Sequence, residues 1–419
     1  MAFFGLIIFL LIIFIQPQEF LPAMKGLQIV AIIMGIVALL WIPKRLMGRG
    51  LKNKSQQSVL MLFFWIFLTL ATFNIGWMGG VFNAFIEWGK FVLIYFIMVD
   101  LINTPDRFGI TVFTLIAGGI VISVFGVLQW FGIDVTGVGF SSDSTAVRIR
   151  GIGIFDTNQL AYAMCFLAPL VFYFFKVTKS FIPRLFFAAV FCLFYYTVYL
   201  TGSRGGMICA VMVVGLLFIV FNKKKHVRAF GLTLAVLLFV FCLQFSSRLQ
   251  TVSGGQEDGS FKGRTDAWGA ALINLKSYPF GIGKEQFQDY FDIAAHNSYI
   301  QVVSEIGVFG LFVWLAIFYY SIKNLRLISG HFEPGLINDR QRTVSKSLQV
   351  SLFAYLIGSF FSNSGYYITL YILFALIVSL QRLASPAIFK KNKLFQFKDL
   401  ARIGTLEIVI ILLIHTTSK

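Results

Sequence analysis

Charge is scarce in this chain. Only 13% of its 419 residues are Asp, Glu, Lys or Arg, where a soluble domain carries about a quarter. That is too little to clothe a water-exposed surface, and with so much apolar side chain it excludes both a soluble enzyme and a disordered chain. Cysteine is as sparse. Cys165, Cys192, Cys209 and Cys242 each fall in a different apolar run, without metal-type spacing and outside the hydrophilic loops where disulfides form. A secreted disulfide scaffold is therefore excluded, and the four read as small lipid- or core-facing residues. Internal repeats and low-complexity linkers are absent. The opening run lacks the basic segment of a cleavable signal peptide and reads as a first span.

What the chain has instead is hydrocarbon: 58% hydrophobic residues, 49 of the 419 being Phe, and a mean hydropathy of +0.82. A spanning helix needs about 20 mostly apolar residues. Twelve such spans are predicted, at 2–17, 27–43, 59–76, 81–101, 108–131, 158–175, 185–202, 207–222, 229–246, 298–322, 348–364 and 367–381. The fold class is thus an all-α integral membrane protein of about 12 transmembrane helices, a single polytopic domain over 1–419. The formal charge of +17 does not point to nucleic acid, because the basic residues form short clusters between spans rather than one patch. With the N-terminus inside, segments 44–58, 102–107, 176–184, 223–228, 323–347 and the basic tail 382–419 hold 25 of the 35 Lys and Arg. The positive-inside rule then puts both termini in the cytoplasm. The apolar run 405–415 is too short to count as a span and is expected at the interface or packed on the bundle.

Two outer loops break the asymmetry. Loop 132–157 carries Arg148 and Arg150. Loop 247–297, between helices 9 and 10, is the largest hydrophilic segment and carries Arg248, Lys262, Arg264, Lys276 and Lys284. Basic residues placed outside work against the topology, so they are expected to bind an anion there. Loop 247–297 is expected to form an extracytoplasmic cap, with one helix over Arg264–Ser277 that stops at Pro279 and a second, short one over Glu285–Ile293.

Of four histidines, His226, His331 and His415 read as solvated polar residues. His296 stands between the long outer loop and the tenth span, where an imidazole can act as a general base near neutral pH; the plainer alternative is a histidine that orients the helix start. Arg204, in Thr201-Gly202-Ser203-Arg204-Gly205-Gly206, lies at a tight outer turn and is either an anion ligand or a snorkelling anchor. Arg264 is expected at a helix N-terminus, where the macrodipole adds to its pull on an anion, unless it pairs with Asp266 or Glu257. Guanidinium forks match phosphate and diphosphate oxygens, and the natural anion at this face of a bacterial membrane is a sugar-bearing polyprenyl diphosphate. Glu257, Asp258, Asp289 and Asp292 are not arranged as a Mg²⁺ pair, so no metal and no cofactor is expected. Glu305, inside the tenth span, should face the interior. Glu87 and Lys90 share one face of the fourth, where they either pair or line a groove for the lipid carrier.

Four pieces in order carry a family resemblance. They are Arg150-Gly151 with Phe155 to Ala161; Ser203 to Gly206; Gly263-Arg264 with Trp268 and Pro279 to Gly283; and His296-Asn297 with Gly307 and Gly310. Over 148–310 the chain resembles the bacterial O-antigen ligase and polymerase superfamily of membrane glycosyltransferases. Thr157 departs from it, the family commonly having proline before the asparagine, and the first 140 residues match only as hydrophobic spans. The resemblance implies a GT-C-like helical fold and metal-independent, inverting transfer of glycan from undecaprenyl diphosphate at the periplasmic face of the inner membrane. It further implies His296 as the base, Arg204 and Arg264 as the residues neutralising the diphosphate, and Arg150, Arg148, Asn158 and Asn297 as substrate-binding residues. The pattern over 296–310 favours an O-antigen ligase acting on lipid A–core in lipopolysaccharide biosynthesis. The alternatives are a polymerase extending lipid-linked repeats, a protein O-oligosaccharyltransferase, and, from a different class, a lipid-linked glycan flippase.

Overall fold

In lipid a backbone N–H has no water to turn to, so long apolar stretches close their own hydrogen bonds as helices. The computed structural model describes residues 1–49, 55–74, 76–137, 139–143, 146–151, 155–245, 259–330, 338–389 and 395–417. Arg248, Glu257, Asp258 and His331 lie outside the described residues. The helices, in chain order, are α1 (Ala2–Ile15), α2 (Ile29–Lys44), α3 (Gln56–Asn74), α4 (Met78–Leu101), α5 (Pro105–Trp130), α6 (Thr157–Val177), α7 (Phe181–Leu200), α8 (Arg204–Phe221), α9 (Lys225–Phe245), α10 (Gly259–Asn274), α11 (Phe287–Phe291), α12 (Ser298–Gly330), α13 (Asp339–Ser359), α14 (Ile368–Leu383) and α15 (Phe397–Thr417). A short antiparallel ladder pairs β1 (Ser141–Asp143) with β2 (Ala146–Arg148), Ser141 opposite Arg148.

Among the described residues, seven helices are long and apolar enough to cross a membrane, and α1 and α14 are shorter apolar helices. The chain is a multi-pass α-helical membrane protein. Each of the twelve expected segments falls on a helix. The largest shift is in the eleventh, expected at 348–364, where the helix runs Asp339–Ser359 and a turn follows.

The chain divides into two compact units. The first comprises 1–50, 100–256 and 328–358. In it α6 packs against α5, α7 and α8, with α9 on α8 and α1 between α2 and α5. Small residues permit the closest approaches: a Cβ on Gly206 would stand 2.5 Å from the Cβ of Ala161.

The second unit comprises 51–99, 257–327 and 359–419. Its core is aromatic, with Trp88 edge-on to Tyr371 at 4.6 Å and Phe318 edge-on to Phe374 at 5.0 Å. Some polar groups within it pair across helices. Asn324 donates to Gln381 at 3.1 Å, and Ser58 shares a hydrogen bond of 2.9 Å with the Tyr95 hydroxyl. On the face of α4, Glu87 and Lys90 form an exposed ion pair of 2.6 Å. The 405–415 run is the middle of a longer helix than its apolar length announces. Asp399, near the start of α15, accepts from Tyr319 at 2.8 Å and Lys323 at 2.6 Å, and further along a Cβ on Gly404 would reach Phe312. The helix thus runs antiparallel to α12 and packs against α10.

Candidate active site

The expected site residues fall into both units. In the first, Asp156 caps α6 through a capping box with Gln159, which places Asn158 in the opening turn. Arg148, at the end of β2, is buried. Its Nε donates to the Thr201 carbonyl at 2.7 Å and its Nη2 to Asn158 Oδ1 at 2.9 Å. One guanidinium therefore ties the end of α7 to the start of α6. At Gly202 (φ 58°) the chain turns, and Ser203 caps α8 by accepting from the Gly206 amide at 3.2 Å. Arg204 is thereby set as the first residue of α8, half-buried.

Arg150 is exposed, and its own backbone amide donates to Gln129 Oε1 at 2.8 Å. Gln129 also donates to the Gly139 carbonyl at 2.7 Å. This buried residue holds both ends of the outer loop and was not singled out by the sequence. Its only signal is an amide side chain at the end of an apolar helix.

In the second unit α10 already includes Gly259, so Arg264 sits inside the helix, half-buried, and not in its first turn. The macrodipole contribution expected for it falls away, since that effect is confined to the terminal turn. The short helix expected over Glu285–Ile293 is observed as α11. Trp268, buried on α10, donates from Nε1 to the Ala295 carbonyl at 2.6 Å. That bond fixes the residue immediately before His296.

His296 has φ 47°, a left-handed conformation that few non-glycine residues adopt and that tends to persist at functional positions. The next residue, Asn297, is fully buried and caps α12: its Oδ1 accepts from the amides of Tyr299 at 3.0 Å and Ile300 at 3.3 Å. Its Nδ2 has no hydrogen-bond partner among the described residues. Ser298 then donates to the Ser362 carbonyl at 2.6 Å, so the start of α12 is clamped to the turn after α13. His296 is thus presented, half-buried, from a rigid helix end.

The Pro279–Gly283 loop docks onto a break in the same helix. Amides of Ile282 and Gly283 donate to the carbonyls of Ser304 (2.9 Å) and Glu305 (3.0 Å), and the Val308 amide donates to Pro279 (3.2 Å). These bonds replace helical ones around Gly307, where φ is 78° and ψ −177°. Glu305 is buried, as a carboxylate in a span has to be, and its Oε1 accepts from the Phe287 amide at 3.4 Å.

The second unit offers an imidazole at a capped helix start and, beside it, a buried amide with an unused donor, and the first unit offers the Arg204 guanidinium at a capped turn. Such groups can take a proton from a hydroxyl and hold an oxyanion. Residues 187–315 match the O-antigen ligase family. That stretch holds Arg204, Arg264, His296 and Asn297, while Arg148, Arg150 and Asn158 precede it. No curated protein matches the chain. The matched segment, which runs from α7 to the middle of α12, supports a relation to the O-antigen ligase and polymerase superfamily.

Proposed function

We propose that the protein is an O-antigen ligase, a GT-C-like glycosyltransferase that moves glycan from undecaprenyl diphosphate to lipid A–core at the periplasmic face of the bacterial inner membrane. One observation carries this reading. The family segment contains a histidine in a left-handed conformation at a capped helix start, and both the cap and the preceding carbonyl are held by buried hydrogen bonds.

In the proposed reaction His296 takes the proton of the acceptor hydroxyl. The acceptor oxygen bonds the anomeric carbon as the bond from that carbon to the diphosphate oxygen breaks, and the lipid diphosphate leaves with the electron pair. Configuration inverts in this single displacement. Arg204 and Arg264 neutralise the leaving diphosphate, with Arg150 as a further donor. Asn297 offers its unused Nδ2 to a substrate oxygen. Arg148 acts at one remove, holding Asn158 and the turn before Arg204. No metal takes part.

The charge distribution supports a cytoplasmic N-terminus. It also favours a cytoplasmic C-terminus, but α15 is about 31 Å long and lies along α12, so we place the C-terminus across the membrane.

The test supplies purified protein with lipid-linked O-antigen and either lipid A–core or donor alone, in excess EDTA. Glycan on lipid A–core is the expected product. Lengthening of the lipid-linked chain without that acceptor would make the protein a polymerase. Absence of both products from folded protein would remove the transferase reading in favour of a transporter, and activity that required Mg²⁺ would remove the metal-free mechanism.

A further inference from the structure

In the first unit, at the end of the helices remote from Arg204, an open cavity of about 390 Å³ lies between α6, α7, α8 and α9. Its size is that of a ligand pocket, yet its wall is hydrocarbon: Phe172, Phe175, Phe187, Phe191, Leu217 and Phe218, with Asn222 as the one polar group. Arg204 and Asn222 bracket α8, which is about 27 Å long. The cavity is therefore no part of the candidate active site.

A wall facing lipid tails needs no polar company, but this one is ringed by cations. Arg184 lies over the ring of Phe175 at 4.5 Å. The Lys346 ammonium lies over Phe221 at 5.5 Å, and Phe221 stands edge-on to Phe172 at 5.0 Å. The charges of Arg342, Lys223 and Lys176 all bear on Lys346. Asp339, which pairs with Arg342 at 3.1 Å, is highly exposed. Cations gathered on a partly buried lysine repel one another, and an anion placed among them relieves that cost. Basic pockets between spanning helices do bind anionic headgroups.

We propose that this groove seats an anionic glycerophospholipid, with one acyl chain in the phenylalanine-lined cavity and its phosphate on Lys176, Lys346 and their neighbours. A volume of about 390 Å³ suits a single acyl chain and not a polyprenyl chain several times as long. The site is independent of the transfer reaction.

The test is native mass spectrometry of the full chain in neutral detergent with phosphatidylglycerol, phosphatidylcholine or undecaprenyl phosphate as probe. Wild type is expected to retain one phosphatidylglycerol about ten-fold better than phosphatidylcholine. Lys176→Gln with Lys346→Gln should abolish that preference, whereas Arg402→Gln, in the other unit, should leave it intact. Ala188→Phe narrows the cavity while keeping every charge, and it should lower retention of phosphatidylglycerol; it carries the same test should the double variant fail to fold. Equal retention of both phospholipids, a preference indifferent to these changes, or preferential retention of undecaprenyl phosphate would each overturn the proposal.

Discussion

Gly281 and Gly307 meet backbone to backbone: a Cβ on Gly281 would lie 2.7 Å from the Gly307 nitrogen, and one on Gly307 would run into Pro279 and Phe280. Both also have positive φ, 92° and 78°. Either Gly→Ala change adds left-handed strain of about 1–2 kcal/mol to a collision with main chain worth about 1–3 kcal/mol. We expect each variant to lose thermal stability in detergent and to lose transfer with it. Gly109→Ala, where nothing lies within 4 Å, should be neutral or slightly stabilising. A Gly281→Ala protein as stable as wild type would mean the loop is not docked on the break in α12.

Apolar run length located the helices because backbone satisfaction in lipid leaves a long apolar segment little choice. The break at Gly307 was not legible, since a lone glycine does not announce which carbonyls a distant loop will take. The start of α10 was misjudged at Arg264 because Thr265 and Asp266 look like the first turn of a helix that in fact starts earlier. The reach of α15 was hidden by Lys398, Asp399, Arg402 and Glu407, and Tyr319 and Lys323, which donate to Asp399, lie far away in sequence. His296 was legible as a candidate from its place at a helix start, but its left-handed backbone and the Trp268 bond behind it were not.

Arg148 and Asn158 are bonded to each other at 2.9 Å, and Arg148 also donates to Thr201. Arg148→Ala leaves the Thr201 carbonyl and the Asn158 amide oxygen short of a donor, at about 1–3 kcal/mol. Asn158→Ala removes only one of these bonds. A double-mutant cycle on thermal stability should therefore show coupling of about 0.5–3 kcal/mol. Additive losses would mean that the two residues act separately, as the family resemblance alone implies.

His296→Ala confounds two effects, since alanine at φ 47° carries about 1–2 kcal/mol of strain. His296→Gly separates them, because it removes the imidazole but suits the backbone. Both variants are expected to lose transfer. The glycine variant should match wild type in stability to within about 1 kcal/mol and still bind lipid-linked donor. Near-normal transfer by His296→Gly would remove the residue as the base.

Asp134 is the anchor of the loop after α5. Burial raises its pKa, but donation from Gly139, Thr136 and Gly137 outweighs burial and holds the carboxyl below its ordinary value. With the folded pKa below the unfolded one, the stabilisation is complete above about pH 4 and is lost as pH falls through the folded value. Amide exchange at Gly137 and Gly139, corrected for its intrinsic pH dependence, should accelerate over that acid range. In Asp134→Asn, whose single acceptor oxygen cannot titrate, protection should be weaker and independent of pH there. Equal acid sensitivity in the two proteins would place the cause elsewhere.

The side of the membrane reached by α15 is open to direct measurement. Asp399 is fixed near the end of α12 that holds Lys323, Gly404 faces Phe312 further along α12, and α15 also packs on α10, whose Trp268 is bonded to Ala295. A helix of 21 residues covers about 31 Å, enough for the hydrocarbon core. In a cysteine-free background, Thr416→Cys and Gln288→Cys should therefore react with a membrane-impermeant maleimide from the same side of intact cells. Lys398→Cys, at the other end of the helix, should react only after permeabilisation. All three positions are exposed, so reaction reports on side and not on burial. If Thr416→Cys is protected together with Lys398→Cys, the helix does not cross, and the cytoplasmic C-terminus expected from the charge count stands.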